Sequence, residues 1–188
     1  MTQALFRPQL TREQAIRLAS IYADDDEERA LDAGRKIRAG DYARVHLQTV
    51  FQWKTKNRGK TRLSQNSDSE ILDALRLAVA ANESRSTIAV LMGLYGVNTP
   101  VASAIATAIY PERFTIFDFR ALEALGTTET DRSIPFYLDY LRFCTGLAKD
   151  WSISLRTLDR ALWQWSADRM QLGNWEPPEV KARAQDDA

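Results

Sequence analysis

Cysteine and histidine are nearly absent: Cys144 and His46 are the only ones in 188 residues. One thiol excludes an intramolecular disulfide framework, a four-cysteine iron–sulfur cluster and a Cys-rich zinc site. One imidazole excludes a His-rich metal centre and a catalytic pair of histidines. No metal is therefore expected. Glycine and proline are sparse, at 8 and 6. No run approaches the about 18 consecutive apolar residues of a membrane helix, and MTQALFRPQL lacks the charged-then-apolar order of a secretory signal. The expectation is a cytoplasmic chain with no membrane partner. What is present is ordinary for a globular protein: 45% apolar and 27% charged residues, in a length that suits one domain or two small lobes sharing a core.

The formal net charge is zero, but the charge is unevenly placed. Residues 34–62 carry Arg35, Lys36, Arg38, Arg44, Lys54, Lys56, Arg58, Lys60 and Arg62 against one acid, Asp41. A basic stripe on a neutral chain is the electrostatic footprint expected for a polyanion. A solvated helix face followed by a polar loop would give the same pattern.

Helical periodicity dominates, and no alternation runs long enough to build a sheet. Thr11 with Gln14, and Ser67 with Glu70, read as capping boxes. The acidic run Asp24–Glu28 reads as the first turn of a second, largely exposed helix, and Asp41 as the cap of a third that carries Val45, Leu47, Val50, Phe51 and Trp53. Ser84 or Ser86 opens the next, Pro100 suits a first helical turn, and Pro111 stops the Ala-rich helix that follows. Phe114–Phe117 is short and extended, Asp118 caps a helix ended by Gly126, and Ser133 and Ser154 start the last two. The expected class is all-α, two-lobed, with about eight helices. A single helical domain over 1–176 is expected, with 66–126 as one lobe, the N- and C-terminal helices as the other, and a disordered tail over 177–188.

The most informative stretch is Leu94-Tyr95-Gly96-Val97-Asn98-Thr99, a tight turn between two helices. Gly96 accepts positive φ, Asn98 tolerates it, and Ala102, Ser103, Ala104 and Ala106 let the second helix approach a neighbour closely. A hairpin feeding a helix start exposes amide groups that bind phosphate. A plain helical hairpin with a glycine turn is the simpler reading of the same residues.

Leu94–Ile105 resembles the helix-hairpin-helix of the HhH-GPD DNA glycosylase superfamily, which includes endonuclease III, the adenine glycosylase of mismatch repair and 8-oxoguanine glycosylase. That motif is written L-P-G-V-G-x-x-T-A-x-x-I. Here Leu94, Gly96, Val97, Ala102 and Ile105 match, while Asn98 replaces the second glycine and Val101 the threonine. The family places an aspartate after a short apolar stretch resembling T-I-A-V-D-T-H, and this chain has Thr115-Ile-Phe-Asp118-Phe-Arg-Ala, 22 residues after Gly96. The likeness covers residues 66–126. It implies that Asp118 is catalytic: a carboxylate beside the sugar stabilises the cation formed as an N-glycosidic bond breaks, or orients the attacking water. A pure helix cap is the other reading of Asp118. Bifunctional members carry a lysine nucleophile where Pro100 stands, so the resemblance implies a monofunctional member in which water attacks, unless Lys54 or Lys56 substitutes from elsewhere. The iron–sulfur ligands of endonuclease III have no counterpart in this chain, which has one cysteine, so no such cluster is expected; the resemblance allows a monovalent cation at the hairpin and makes duplex DNA with a damaged or modified base the partner.

Phe51–Arg58 is a second candidate site, because aromatic and basic residues interleave there as they do where bases stack and phosphates are neutralised. Lys54, Lys56, Arg58, Lys60 and Arg62 are candidate phosphate contacts. Trp53 is a candidate to stack on a flipped base or wedge into the gap it leaves, or else a core tryptophan. Tyr110 and Arg113 are candidates to line a pocket, and at least two of the late tryptophans (Trp151, Trp163, Trp165, Trp175) are expected in the core. Three readings stand: a DNA glycosylase, a non-catalytic helix-hairpin-helix DNA-binding module, and a helical adaptor whose basic stripe meets an acidic protein.

Overall fold

Two capping boxes start helices where the sequence places them. Thr11 accepts a bond from the Gln14 amide while the Gln14 side chain bonds back to the Thr11 amide, and Ser67 and Glu70 do the same. Each box satisfies amide groups that a helix start leaves without partners. They open α1 (Arg12–Ile21) and α5 (Asp68–Ala80) in a computed structural model that describes residues 5–127, 129 and 131–171. The other helices are α2 (Glu27–Arg38), α3 (Arg44–Thr55), α4 (Lys60–Leu63), α6 (Ser84–Met92), α7 (Thr99–Ile109), α8 (Phe119–Ala124), α9 (Ile134–Asp150) and α10 (Leu155–Gln171). Trp175 and the expected tail over 177–188 lie outside the described residues. Among the described residues the chain is all-α, with ten helices instead of about eight, and no helix is long and apolar enough to cross a membrane. One addition is α4, a single turn inside the segment that reads as polar loop.

Several local expectations need correction. Asp41 does not cap α3: Ala43 holds that position, and the Asp41 carboxylate accepts from the Ala43 amide at 3.2 Å and pairs with His46 Nε2 at 2.7 Å. Glu83 rather than Ser84 or Ser86 precedes α6. Asn98 does not use its tolerance of positive φ; at φ −100° it is the N-cap of α7, and its side chain accepts from the Val101 amide. Only Gly96 of that turn is left-handed, at φ +83°. Trp151 and Trp165 are half-buried and pack against the core without being sealed in it, and Trp163 is half-buried.

The largest revision concerns α2, expected to be mostly exposed. Its charged side chains face outward except that of Glu27, which is buried, and Ala30, Ala33, Gly34 and Ile37 are buried where the helix packs on α3 and α7. A Cβ at Gly34 would lie 1.9 Å from the Ala108 carbonyl oxygen, so only glycine permits this crossing. Small residues carry little hydrophobic signal, which is why the face is hard to read in sequence. The receiving helix, α7, is buried at every position except Pro100.

Helix packing falls into two groups. α2, α3, α5, α6 and α7 pack on one another; α1, α8 and α9 pack on α10; and α6 meets α9 between them. One continuous apolar cluster runs through both, from Phe6 to Leu162. The extended stretch 114–118 lies between the groups.

Candidate functional site

Asp118 ends a segment that is held from several sides. The Ser103 hydroxyl on α7 accepts the Phe117 amide at 2.8 Å. On α9, Tyr137 and Tyr140 donate their hydroxyls to the carbonyls of Thr115 and Ile116, at 3.1 and 3.0 Å. These bonds satisfy polar backbone that forms no regular structure and is buried. They also fix where the next side chain points. Asp118 then caps α8, its Oδ1 accepting from the Arg120 amide at 3.0 Å.

Its other oxygen, Oδ2, is in contact with the Lys54 ammonium, which reaches it from the last turn of α3. The pair spans 64 residues of chain, and its side chains are only 13% and 18% exposed. Burial pushes the Asp118 carboxyl up. The Lys54 charge and hydrogen bond, with the Arg120 amide and charge, outweigh it, so the pKa falls below the ordinary value. Asp118 is thus a carboxylate at neutral pH. Local sequence says nothing of this pair, since Lys54 reads as one cation in a basic segment.

An open cleft of about 530 Å³ lies over this pair. Lys54, Arg58 and Arg62 line one side, Gly96, Val97 and Asn98 another, and Asp118, Phe119 and Arg132 close it. The basic segment and the hairpin therefore meet. A Cβ at Gly96 would lie 3.0 Å from the Leu63 amide nitrogen, so the hairpin rests directly on α4. Asn66, buried and unmarked in the sequence, fixes this contact: its side chain donates to the Tyr95 carbonyl at 3.0 Å and accepts from the Tyr95 amide at 2.9 Å. Leu94, Val97 and Thr99 face inward, whereas Tyr95 is 61% exposed and Asn98 is exposed.

The basic stripe is less free than its sequence implies. Arg35, Lys36, Arg38, Arg44, Lys54 and Lys56 are each ion-paired, Lys56 with Asp24 and Asp26. Arg58, Lys60 and Arg62 make no ion pair among the described residues. The unmatched charge is therefore concentrated at the turn from α3 into α4.

A second cleft, of about 350 Å³, lies on the other side of the pair and shares Lys54, Arg58, Asp118 and Phe119 with the first. Tyr22, Trp53, Trp163 and Arg156 form its walls. Trp53 is a core residue, 5% exposed, with Nε1 donating to Asp24 at 3.2 Å. It lines this cleft with little exposed surface and does not project from the protein, so the expectation that it wedges into a duplex is withdrawn. The exposed aromatic at the rim of both clefts is Phe119. Tyr110 and Arg113 line neither cleft; they donate to the carbonyls of Val79 in the last turn of α5 and of Ala81 and Asn82 just after it. Tyr22, Arg132, Arg156 and Trp163 carry no sequence signal for this site, because they lie on three separated segments (the end of α1, the turn before α9, and α10) with no local motif.

Beneath the second cleft lies a buried ion network. Arg156 pairs with Glu27 and Asp159, and Glu27 also binds Arg160. Among the described residues, no three His, Cys, Asp or Glu side chains are grouped to hold a metal. Compared with models of known families, with curated proteins and with solved structures, the chain shows no match.

Proposed function

We propose that the chain is a DNA glycosylase-like protein with a helix-hairpin-helix fold, a monofunctional enzyme that hydrolyses the N-glycosidic bond of a damaged or modified base. The observation that carries this reading is the Lys54–Asp118 pair at the floor of a cleft bordered by the hairpin and by Arg58 and Arg62. Arg58, Lys60 and Arg62 neutralise phosphates, and the hairpin amides bind one strand. The Gly96 and Asn98 amides make no hydrogen bond among the described residues, which suits that role. As the bond from C1′ to the base breaks, its electron pair leaves with the base, which takes up a proton. Asp118 stabilises the sugar cation and accepts a proton from the water that adds to C1′. Lys54 keeps Asp118 ionised for this task.

A second reading, a DNA-binding module without excision, draws on the same pair. A carboxylate that caps a helix and closes on a lysine has a sufficient structural role already. Duplexes with a central abasic-site analogue, or with no lesion, distinguish the two when titrated into the protein at near-physiological salt. Preference for the abasic duplex, with excision lost in Asp118→Asn, is the expected result. Equal, steeply salt-dependent binding to both leaves the binding module, and no binding to either overturns both readings in favour of a protein adaptor. Borohydride added to the complex with a natural abasic site is expected to trap no covalent adduct; a trapped adduct lost in Lys54→Arg would make Lys54 the nucleophile.

A further inference from the structure

The second cleft has the character of a ring-binding site. Trp163 stands edge-on to Tyr22, ring centroids 5.5 Å apart at 87°, and Trp53 contributes a third aromatic wall. Guanidinium groups lie on these rings: Arg156 over Tyr22 and Trp53 at 5.7 and 5.5 Å, and Arg120 over Phe119 and Trp163 at 5.2 and 5.1 Å. Aromatic faces and planar cations both favour a flat, polarisable heterocycle over an aliphatic ligand. About 350 Å³ lies within the range of small-molecule sites.

The wall also has a polarity. Its carboxylates are already occupied by donors of this chain. Asp24 accepts from Trp53 and Lys56, Asp159 from Arg156 and the Ile116 amide, and Asp118 from Lys54 and the Arg120 amide. The Tyr22 hydroxyl, half-buried at the end of α1, makes no hydrogen bond among the described residues. Burial pushes its pKa up, so it is a neutral O–H donor. Of the cations that line it, Lys54, Lys56 and Arg156 are paired with carboxylates, whereas Arg58 makes no ion pair among the described residues, so the charge left unpaired at this wall is positive and favours an electron-rich carbonyl edge over an amino edge.

We propose that this cleft takes the heterocycle of an extruded nucleobase, and that it prefers a carbonyl-bearing base, with Tyr22 donating to the carbonyl oxygen and Trp163 stacking on the ring. The proposal rests on the glycosylase reading for why the base arrives beside Asp118. Ring recognition can nevertheless be measured alone. The test is tryptophan fluorescence of the full chain titrated with hypoxanthine and with adenine, purines that present a carbonyl beside a ring N–H or an amine beside a bare ring nitrogen. Saturable quenching is expected with both, with hypoxanthine about fivefold tighter, the scale of one hydrogen bond. Tyr22→Phe should abolish that preference while leaving adenine unchanged. Trp163→Leu should weaken both by about tenfold, the scale of one stacked base.

Absence of saturable quenching, equal or tighter binding of adenine, or a preference that survives Tyr22→Phe would overturn the proposal. Tyr22→Phe keeps the ring and its packing, so it carries the test if Trp163→Leu fails to fold. A separate titration with the abasic-analogue duplex distinguishes the two failures. Purine binding without duplex binding leaves the ring site and removes the glycosylase reading. Duplex binding without purine binding does the reverse.

Discussion

Asp118 and Asp159 are both mostly buried, both touch a cation, and both border the second cleft, yet their proton affinities move in opposite directions. Burial raises both. At Asp118, which opens onto two clefts, Lys54 and the Arg120 amide outweigh it and the pKa falls. At Asp159, sealed beneath the cleft, burial outweighs Arg156, Lys54 and the Ile116 amide, and the pKa rises. Depth, not the presence of a partner, decides the sign. The open aspartate is kept charged at the clefts, while the sealed one belongs to the network that joins α2 to α10.

The sharpest way to break this comparison is to remove one member of the sealed network. Glu27→Ala leaves Arg156 and Arg160 without their shared carboxylate, and a loss of about 3–5 kcal/mol in urea denaturation is expected. A loss below about 1 kcal/mol would show that the network is not structural. At the open pair the effect should move from stability to activity. Asp118→Asn keeps a capping side chain but leaves Lys54 without its counter-charge, and should cost about 2 kcal/mol of stability. It should lower excision by about 10²–10³-fold, the scale of removing one electrostatic stabiliser of a transition state. A variant that unfolds would instead make Asp118 chiefly a structural residue.

The pH dependence separates the two aspartates further. Asp118 has a lowered folded pKa, so its charge contributes stability above its ordinary value of 3.8, and this is lost as pH falls through the folded value. The stability gap between the native chain and Asp118→Asn should therefore close on acidification below about pH 4. Asp159 has a raised folded pKa, so its contribution is present below 3.8 and lost as pH rises through the folded value. The native chain should gain on Asp159→Asn as pH falls through that window. Urea denaturation across the acid range checks both signs. The smallest effect expected is on the salt dependence of duplex binding. Arg58→Gln, Lys60→Gln and Arg62→Gln should each reduce the slope of log K against log salt by about one. Lys56→Gln should change it less, because Lys56 is already committed to Asp24 and Asp26.

The local signals in the sequence were accurate where the physics is local. Capping boxes at Thr11 and Ser67, Pro100 in a first turn, Gly96 in a left-handed turn and Asp118 as a cap all depend on residues within a few positions. Asp41 was misread because a carboxylate near a helix start can bond to an amide without being the cap. The buried face of α2 was missed because Ala and Gly look neutral until a partner helix approaches. Trp53 was legible as either core or ligand contact, and only its burial decided the matter.

By itself the sequence determined an all-α chain, most of its helix boundaries, the glycine turn at Gly96 and the cap at Asp118, because hydrogen-bonded caps and glycine turns are settled by near neighbours. The tertiary structure alone decided that Lys54 meets Asp118 across 64 residues and that most of the basic stripe is neutralised. It also assembled Tyr22, Trp53 and Trp163 into one cleft. These are outcomes of how helices cross, and crossing depends on the volume and burial of residues that carry no local mark.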